Sequence, residues 1–233
     1  CPRIYCAYMD ERTVSVYNSS AVKYCERWEK ADSSVFSLLP HLFSEAETVL
    51  EIGFGSGRDL AFLKEKLRLE VYGVEASEAL LRKARELHPE LRERVYHGSF
   101  PGGLPKLPVH KFDGILLAAV FMHIPDEELF QSALQIRELL NINGRLVLSV
   151  PVERTDLKGG RDGDGRLMLI RPISRIKLLF ERLGFEVSGT WESSDALGRS
   201  GIRWATLVFS YRGGAVSESV DKIESIINRD RKT

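Results

Sequence analysis

Three glycines alternate with other residues in Val49-Leu50-Glu51-Ile52-Gly53-Phe54-Gly55-Ser56-Gly57, between an apolar run and a helical pattern. Without a Cβ, glycine reaches positive φ and lets the backbone approach a ligand, while the first turn of a helix leaves N–H donors unpaired for a carboxylate. The turn is therefore a binding device. Glu51 sits inside the apolar run just ahead of it, where an acid more often faces a ligand than solvent. His123 follows the most apolar run of the chain, and a neutral imidazole there can take a proton from a hydroxyl or amine. A histidine in such a place more often serves as a hydrogen-bonded structural group. Tyr17, in an N-terminal helical stretch, either closes over a ligand or packs against its neighbours.

The same spacing narrows the chemistry. A dinucleotide-binding turn reads G-x-G-x-x-G, and counted from Gly53 its last glycine falls on Arg58, too bulky for close packing of helix on strand. Asp162-Gly163-Asp164-Gly165 begins like a calcium loop, but Arg166 takes an oxygen-ligand position and no glutamate closes it, so a flexible turn is expected. Arg154, Arg161, Arg166 and Arg171 are interrupted by Asp156, Asp162 and Asp164, which reads as a solvated loop rather than an anion site. Cys1, Cys6 and Cys25 are odd in number and lack paired CxxC spacing, so no metal is expected and a reducing, cytoplasmic setting fits. Lys+Arg 33 against Asp+Glu 33 leaves no net field to coat nucleic acid. No apolar run approaches the roughly 20 residues that span a bilayer. The chain opens on Cys1, as expected of a trimmed protein or one part of a longer one.

Hydrophobic period names the elements that must hold these residues. From 49 to 150, strand, turn and helix repeat, which predicts a parallel sheet covered by helices on both faces. Strands are expected at 49–52, 71–74, 95–97, 112–121 and 146–150, with Asn143-Gly144 turning the chain into the last of these. Helices are expected at 59–67, from the Ser77 N-cap to Pro89, and after Pro125-Asp126. Pro172 opens a further helix that Gly184 stops. Strands near 185–191 and 202–211 have no helix between them, so they pair antiparallel. The stretch from Tyr17 to Pro40 reads as helical, with Ala21, Tyr24, Trp28 and Val35 packing inward. The fold class is α/β: a doubly wound, seven-stranded, mostly parallel sheet ending in an antiparallel hairpin.

Over most of its length the chain resembles the class I S-adenosylmethionine-dependent methyltransferases, whose first motif has the form E/D-x-G-x-G-x-G. Leu117-Ala118-Ala119-Val120-Phe121-Met122-His123-Ile124-Pro125 is similar to the family's fourth motif and the loop after it, above all in small-molecule, type 11 or 12 members. The resemblance implies a shell around S-adenosyl-L-methionine made by Glu51, Gly53, Phe54, Gly55, Ser56, Gly57 and Arg58, by Glu75 and Ala76, by Ser99 and Phe100, and by Ala118, Ala119 and Val120. Glu75 stands where the family grips both ribose hydroxyls, and the two acceptor oxygens of a carboxylate suit a cis-diol. Ser99 is a weaker match for the polar residue the family places beside the adenine amino group. Gly55→Val is expected to put methyl groups where the ligand lies.

The reaction so implied is an in-line displacement at the methyl carbon of a sulfonium, in which the protein orients and desolvates the reactants. Tyr17 and His123 are the residues expected near a small-molecule acceptor methylated on oxygen or nitrogen, with His123 as optional base. The chain lacks the Asn/Asp-Pro-Pro-Tyr/Phe motif of adenine and glutamine amide methylation, and no cysteine follows the fourth strand to attack cytosine. Residues 1–40 are expected as an N-terminal helical cap, 41–212 as the methyltransferase domain with an insertion at 152–170 near the acceptor, and 213–233 as a tail or linker helix. Two other functions stay open. One is a noncatalytic domain that senses S-adenosylmethionine or acts as a scaffold; the other, suggested by the tail, is the methyltransferase part of a larger nucleic-acid-modifying protein.

Overall fold

Residues 9–214, apart from Asp32 and Ser34, are described by a computed structural model. Cys1, Cys6 and the expected tail helix lie outside them. Strands β1 (Thr48–Ile52), β2 (Glu70–Glu75), β3 (Val95–His97), β4 (Phe112–Ala118), β5 (Leu140–Arg154), β6 (Phe185–Ser194) and β7 (Ile202–Tyr211) form one sheet in the order β3-β2-β1-β4-β5-β7-β6. β7 runs antiparallel to both of its neighbours, and every other pairing is parallel. The helices are α1 (Glu11–Glu29), α2 (Leu39–Leu42), α3 (Arg58–Lys66), α4 (Glu78–Leu87), α5 (Leu129–Leu139) and α6 (Ile173–Arg182).

Successive side chains on a strand face opposite ways, and this alternation divides the interior in two. Leu50, Ile52, Ile115, Leu117, Leu146 and Leu148 enter one core with residues of α5 and α6. Val49, Leu116 and Val147 enter the other with residues of α3 and α4. Each such buried aliphatic chain contributes about 1.5–3 kcal/mol. At the start of α4, the Ser77 hydroxyl oxygen accepts the Leu80 N–H at 3.2 Å, the N-cap that the sequence predicts.

Several boundaries differ from the expectation, with β5 running on to Arg154 and β6 to Ser194. α1 begins at Glu11 and ends at Glu29, and a loop rather than a continuous helix leads to α2. β4 ends at Ala118, because Ala119 takes a left-handed φ of 57° and the chain then winds into a short 3-10 turn at Phe121–His123. β5 starts at Leu140, so Asn143, with φ 67°, is an irregularity within a strand and not a turn before it.

The stretch between β5 and α6 corrects the sequence reading most. Buried guanidinium groups replace the expected solvated loop: the side chains of Arg154, Arg166 and Arg171 are 1%, 10% and 4% exposed. The acids that argued for solvent are among their partners, since a guanidinium enters a protein interior only when paired. Arg166 donates through Nε and Nη2 to Asp162, and Arg154 through the same atoms to Asp156. Arg161 clasps Asp10 through two bonds of 2.9 and 2.7 Å and holds that carboxyl well below the usual range. With Leu167 N–H on Thr13 Oγ1 and Tyr24 O–H on Asp164, this fastens the insertion to α1. At the other side of α1, the Asn18 side-chain oxygen accepts from Ser77 Oγ and Ala79 N–H at the start of α4.

Arg171 fixes the turn that carries His123, donating to Phe121 O at 3.0 Å, Ile124 O at 2.5 Å and Asp126 at 2.8 Å. Arg171→Met is expected to destabilise the fold by about 3 kcal/mol, the low end for breaking a buried pair because Asp126 is partly solvated. The shift of the urea midpoint measures it.

Candidate functional site

The strand order reverses between β1 and β4, the place where an open α/β sheet leaves a crevice beyond its carboxyl ends. The cavity there is lined by Glu51, Gly53, Phe54, Gly55, Ser56, Arg58, Glu75, Ala76, Ala118, Ala119 and Val120. Tyr17, Tyr24, Arg27 and Trp28 of α1 join them, with Met122, His123, Arg154, Arg166 and Met168, and with Asp195, Arg199 and Trp204 from the terminal hairpin.

Gly53 and Gly55 hold φ of +71° and +60°, a region that side chains with a Cβ rarely adopt. A Cβ on Gly53 would lie 2.5 Å from Val120 Cγ2, and one on Gly55 would lie 2.9 Å from Trp28 Cζ3. A larger residue at Gly55 therefore meets the α1 indole before any ligand, which changes the reason expected for Gly55→Val. Gly57 does not line the cavity; it precedes α3 and faces Leu91 and His88. Arg58 donates from Nη1 to Trp28 O and Ala31 O, both at 2.6 Å, and from Nε to Asp59 at 3.1 Å. It thus satisfies carbonyls at the end of α1, a task for a bulky cation at the place where a dinucleotide turn needs glycine.

Acids cluster on the wall formed by the glycine turn. Glu75 Oε2 accepts the Gly55 N–H at 3.1 Å and Oε1 the Ser77 N–H at 2.9 Å, leaving each oxygen a further lone pair. Burial pushes its carboxyl up and the backbone donors oppose that rise. Glu51 is 2% exposed and its Oε2 has no hydrogen-bond partner among the described residues. Burial and then the Asp59 charge raise the Glu51 carboxyl well above the usual range. Asp59 is itself buried and accepts from Ser33 Oγ at 2.9 Å. A cation brought against this wall would favour the charged form of these raised acids, of which Asp59 is already paired with Arg58.

Ser99 and Phe100 are not among the residues that line the cavity. Ser99 exchanges two 3.0 Å backbone bonds with Gly103, and Phe100, 1% exposed, joins the core beneath. His123 is placed differently from a free base as well. Its Nδ1 lies 2.5 Å from Leu167 O and its Nε2 2.9 Å from Tyr17 Oη. A carbonyl only accepts, so Nδ1 carries the hydrogen and Nε2 accepts the Tyr17 O–H. Tyr17 Oη accepts in turn from Arg166 Nη1 at 3.0 Å. Burial lowers the imidazole to about 4, so it is neutral near pH 7, and both nitrogens are engaged.

Sequence reasoning missed Arg199, Asp195 and Trp204 and dismissed Arg154 and Arg166. The Asp162/Arg166 and Asp195/Arg199 pairs at i,i+4 spacing were the available signal.

Residues 49–144 match the model of a family described as a methyltransferase domain. That match takes in under half of the chain. The matched segment holds the glycine turn, Glu75 and His123, while Arg154, Arg166 and Arg199 fall beyond it. Over 108 residues the chain is 42% identical to protein-L-isoaspartate O-methyltransferase of Methylobacillus flagellatus, covering 45% of this chain and 44% of that protein. The chain thus spans under half the length of that relative. Among solved structures, the 1,6-didemethyltoxoflavin-N1-methyltransferase of Burkholderia thailandensis, bound to 1,6-didemethyltoxoflavin and S-adenosylhomocysteine, superposes with a TM-score of 0.66 at 20% identity. That match covers 87% of this chain and 88% of that one. The cyclase SpnF superposes with a TM-score of 0.67 at 13% identity over 89% of this chain and 98% of its own. The methyltransferase fold is common to both, and their different names are a reminder that chemistry resides in the site.

Proposed function

We propose that the chain binds S-adenosyl-L-methionine in this cavity and transfers its methyl group to an oxygen or nitrogen of a small acceptor. The observation that carries the reading is one wall on which the unpaired Glu51 oxygen, the bare Gly53–Gly55 turn and the Glu75 carboxylate converge. Glu51 and Asp59 suit the positive charges of such a molecule, and the remaining lone pairs of Glu75 suit its ribose diol. Bound there, S-adenosylmethionine supplies a methyl group already activated by the charge on sulfur.

The chain's own residues then orient the acceptor and exclude water, a contribution worth up to about 7–11 kcal/mol when the reacting atoms are well aligned. Tyr17, Tyr24 and Trp28 line the cavity from α1, which supports reading α1 as part of a cap over it. Tyr17 faces the acceptor, takes its proton as its own hydroxyl proton passes to His123 Nε2, and is steadied by Arg166. A cap of this kind suits a small acceptor. Calorimetric titration with S-adenosylhomocysteine and a screen of labelled methyl transfer into metabolite, protein and nucleic-acid fractions test the reading. Saturable binding with label in the metabolite fraction is expected. Label confined to protein or nucleic acid would overturn the small acceptor, and binding with no label anywhere would identify a sensing domain.

A further inference from the structure

Three arginines line the cavity along with the acids, and each is held in the same way. Arg154, Arg166 and Arg199 each turn Nε and Nη2 toward one aspartate: Asp156, Asp162 and Asp195 respectively. Such a two-point grip fixes the plane of the guanidinium and leaves its Nη1 as the free end. Arg166 Nη1 is used, on Tyr17. Among the described residues Arg154 Nη1 meets only the Met168 thioether, a weak acceptor, at 3.7 Å, although the Arg154 side chain is 1% exposed. Arg199 Nη1 has no oxygen partner among the described residues. A buried guanidinium with N–H groups facing a thioether is costly unless something with oxygens arrives. Beside it, Met122, Met168 and Trp204 form a separate apolar cluster on the same cavity.

We propose that the acceptor is an amphiphile whose apolar body lies on Met122, Met168 and Trp204 and whose oxyanion, a carboxylate or a phosphate, is held by Nη1 of Arg154 and Arg199. This rests on the reading of the cavity as a methyl-transfer site. The cavity then offers acids to the cationic donor and free guanidinium edges to the anionic acceptor, so neither ligand binds well in the other's place.

With S-adenosylhomocysteine saturating, calorimetry compares 3-phenylpropionate, phenyl phosphate and the neutral 3-phenylpropanamide. One of the oxyanions is expected to bind at least tenfold more tightly than the amide, and the tighter of the two names the acceptor's group. Arg154→Met and Arg199→Gln are each expected to remove most of that preference while S-adenosylhomocysteine affinity stays within twofold; the second variant, on a partly exposed loop, covers a folding failure of the first. Equal binding of acid and amide, no oxyanion binding, or a preference that survives both substitutions would overturn the proposal. The same titrations without the nucleoside decide the oxyanion site by itself, so failure of S-adenosylhomocysteine to bind would overturn the methyl-transfer reading alone.

Discussion

Glu75→Ala is expected to weaken S-adenosylhomocysteine binding by about a hundredfold or more. The carboxylate has two tasks that no neighbour duplicates: Oε2 holds the Gly55 N–H and Oε1 the Ser77 N–H, so it sets the glycine turn and the start of α4 while keeping a lone pair on each oxygen for a sugar diol. Hydrogen bonds to a charged group are worth about 1.5–3 kcal/mol each, and two lost to the ligand make a hundredfold change or greater. Glu75→Gln does not separate the tasks. It keeps the volume but turns an NH2 group toward one of the two backbone N–H donors, so the turn is disturbed as well as the ligand contact. Calorimetry gives the affinity and thermal unfolding the stability; an alanine variant that binds as tightly as the parent would remove Glu75 from the site.

The second large effect concerns His123. Its imidazole titrates at about 4 in the folded chain against about 6.5 unfolded, because burial disfavours the charged ring. Between those values the unfolded chain binds more protons, so stability is intact above pH 6.5 and falls as pH drops toward 4, by about 3 kcal/mol in all. Glu51, Asp59 and Glu75, raised by burial, have the opposite slope, so the parent's profile alone does not isolate the histidine. The difference between the parent and His123→Gln does, and denaturant midpoints from pH 7.5 to 4.5 measure it. A parallel pair of curves would show that the imidazole does not titrate there. Tyr17→Phe removes the hydroxyl bonded to the imidazole and, on the proposed proton relay, is expected to lower turnover by about 10²–10⁴-fold, the usual share of proton transfer. Cofactor affinity should be nearly unchanged, which a purely structural role would not predict.

Elements whose apolar residues repeat over a full period were legible without coordinates. β3 and β7 fall on the residues expected, Ser77 caps α4, and the short connection between β6 and β7 forces the antiparallel pair. Where the chain departs from its local signal, a distant contact or a backbone kink is responsible. Ala119 leaves the sheet although the apolar run continues to Phe121, and its N–H is taken by Ser149 from β5. Left-handed alanine costs about 1 kcal/mol, and such strain concentrates at functional sites. The identity of that partner, 30 residues away, is not written in the run itself.

The sequence by itself determined the sheet, the glycine turn and the place of Glu51 and Glu75, because strand period and conformational freedom at glycine are local properties of the backbone. Only the tertiary structure decided the rest of the cavity. It seats Trp28 on Gly55, closes both nitrogens of His123, draws Phe100 into the core, and buries arginines that read as solvated. Charges along a segment look alike whether they face water or each other, and pairing across more than a hundred residues, as in Asp10 with Arg161, becomes visible only when the chain has folded.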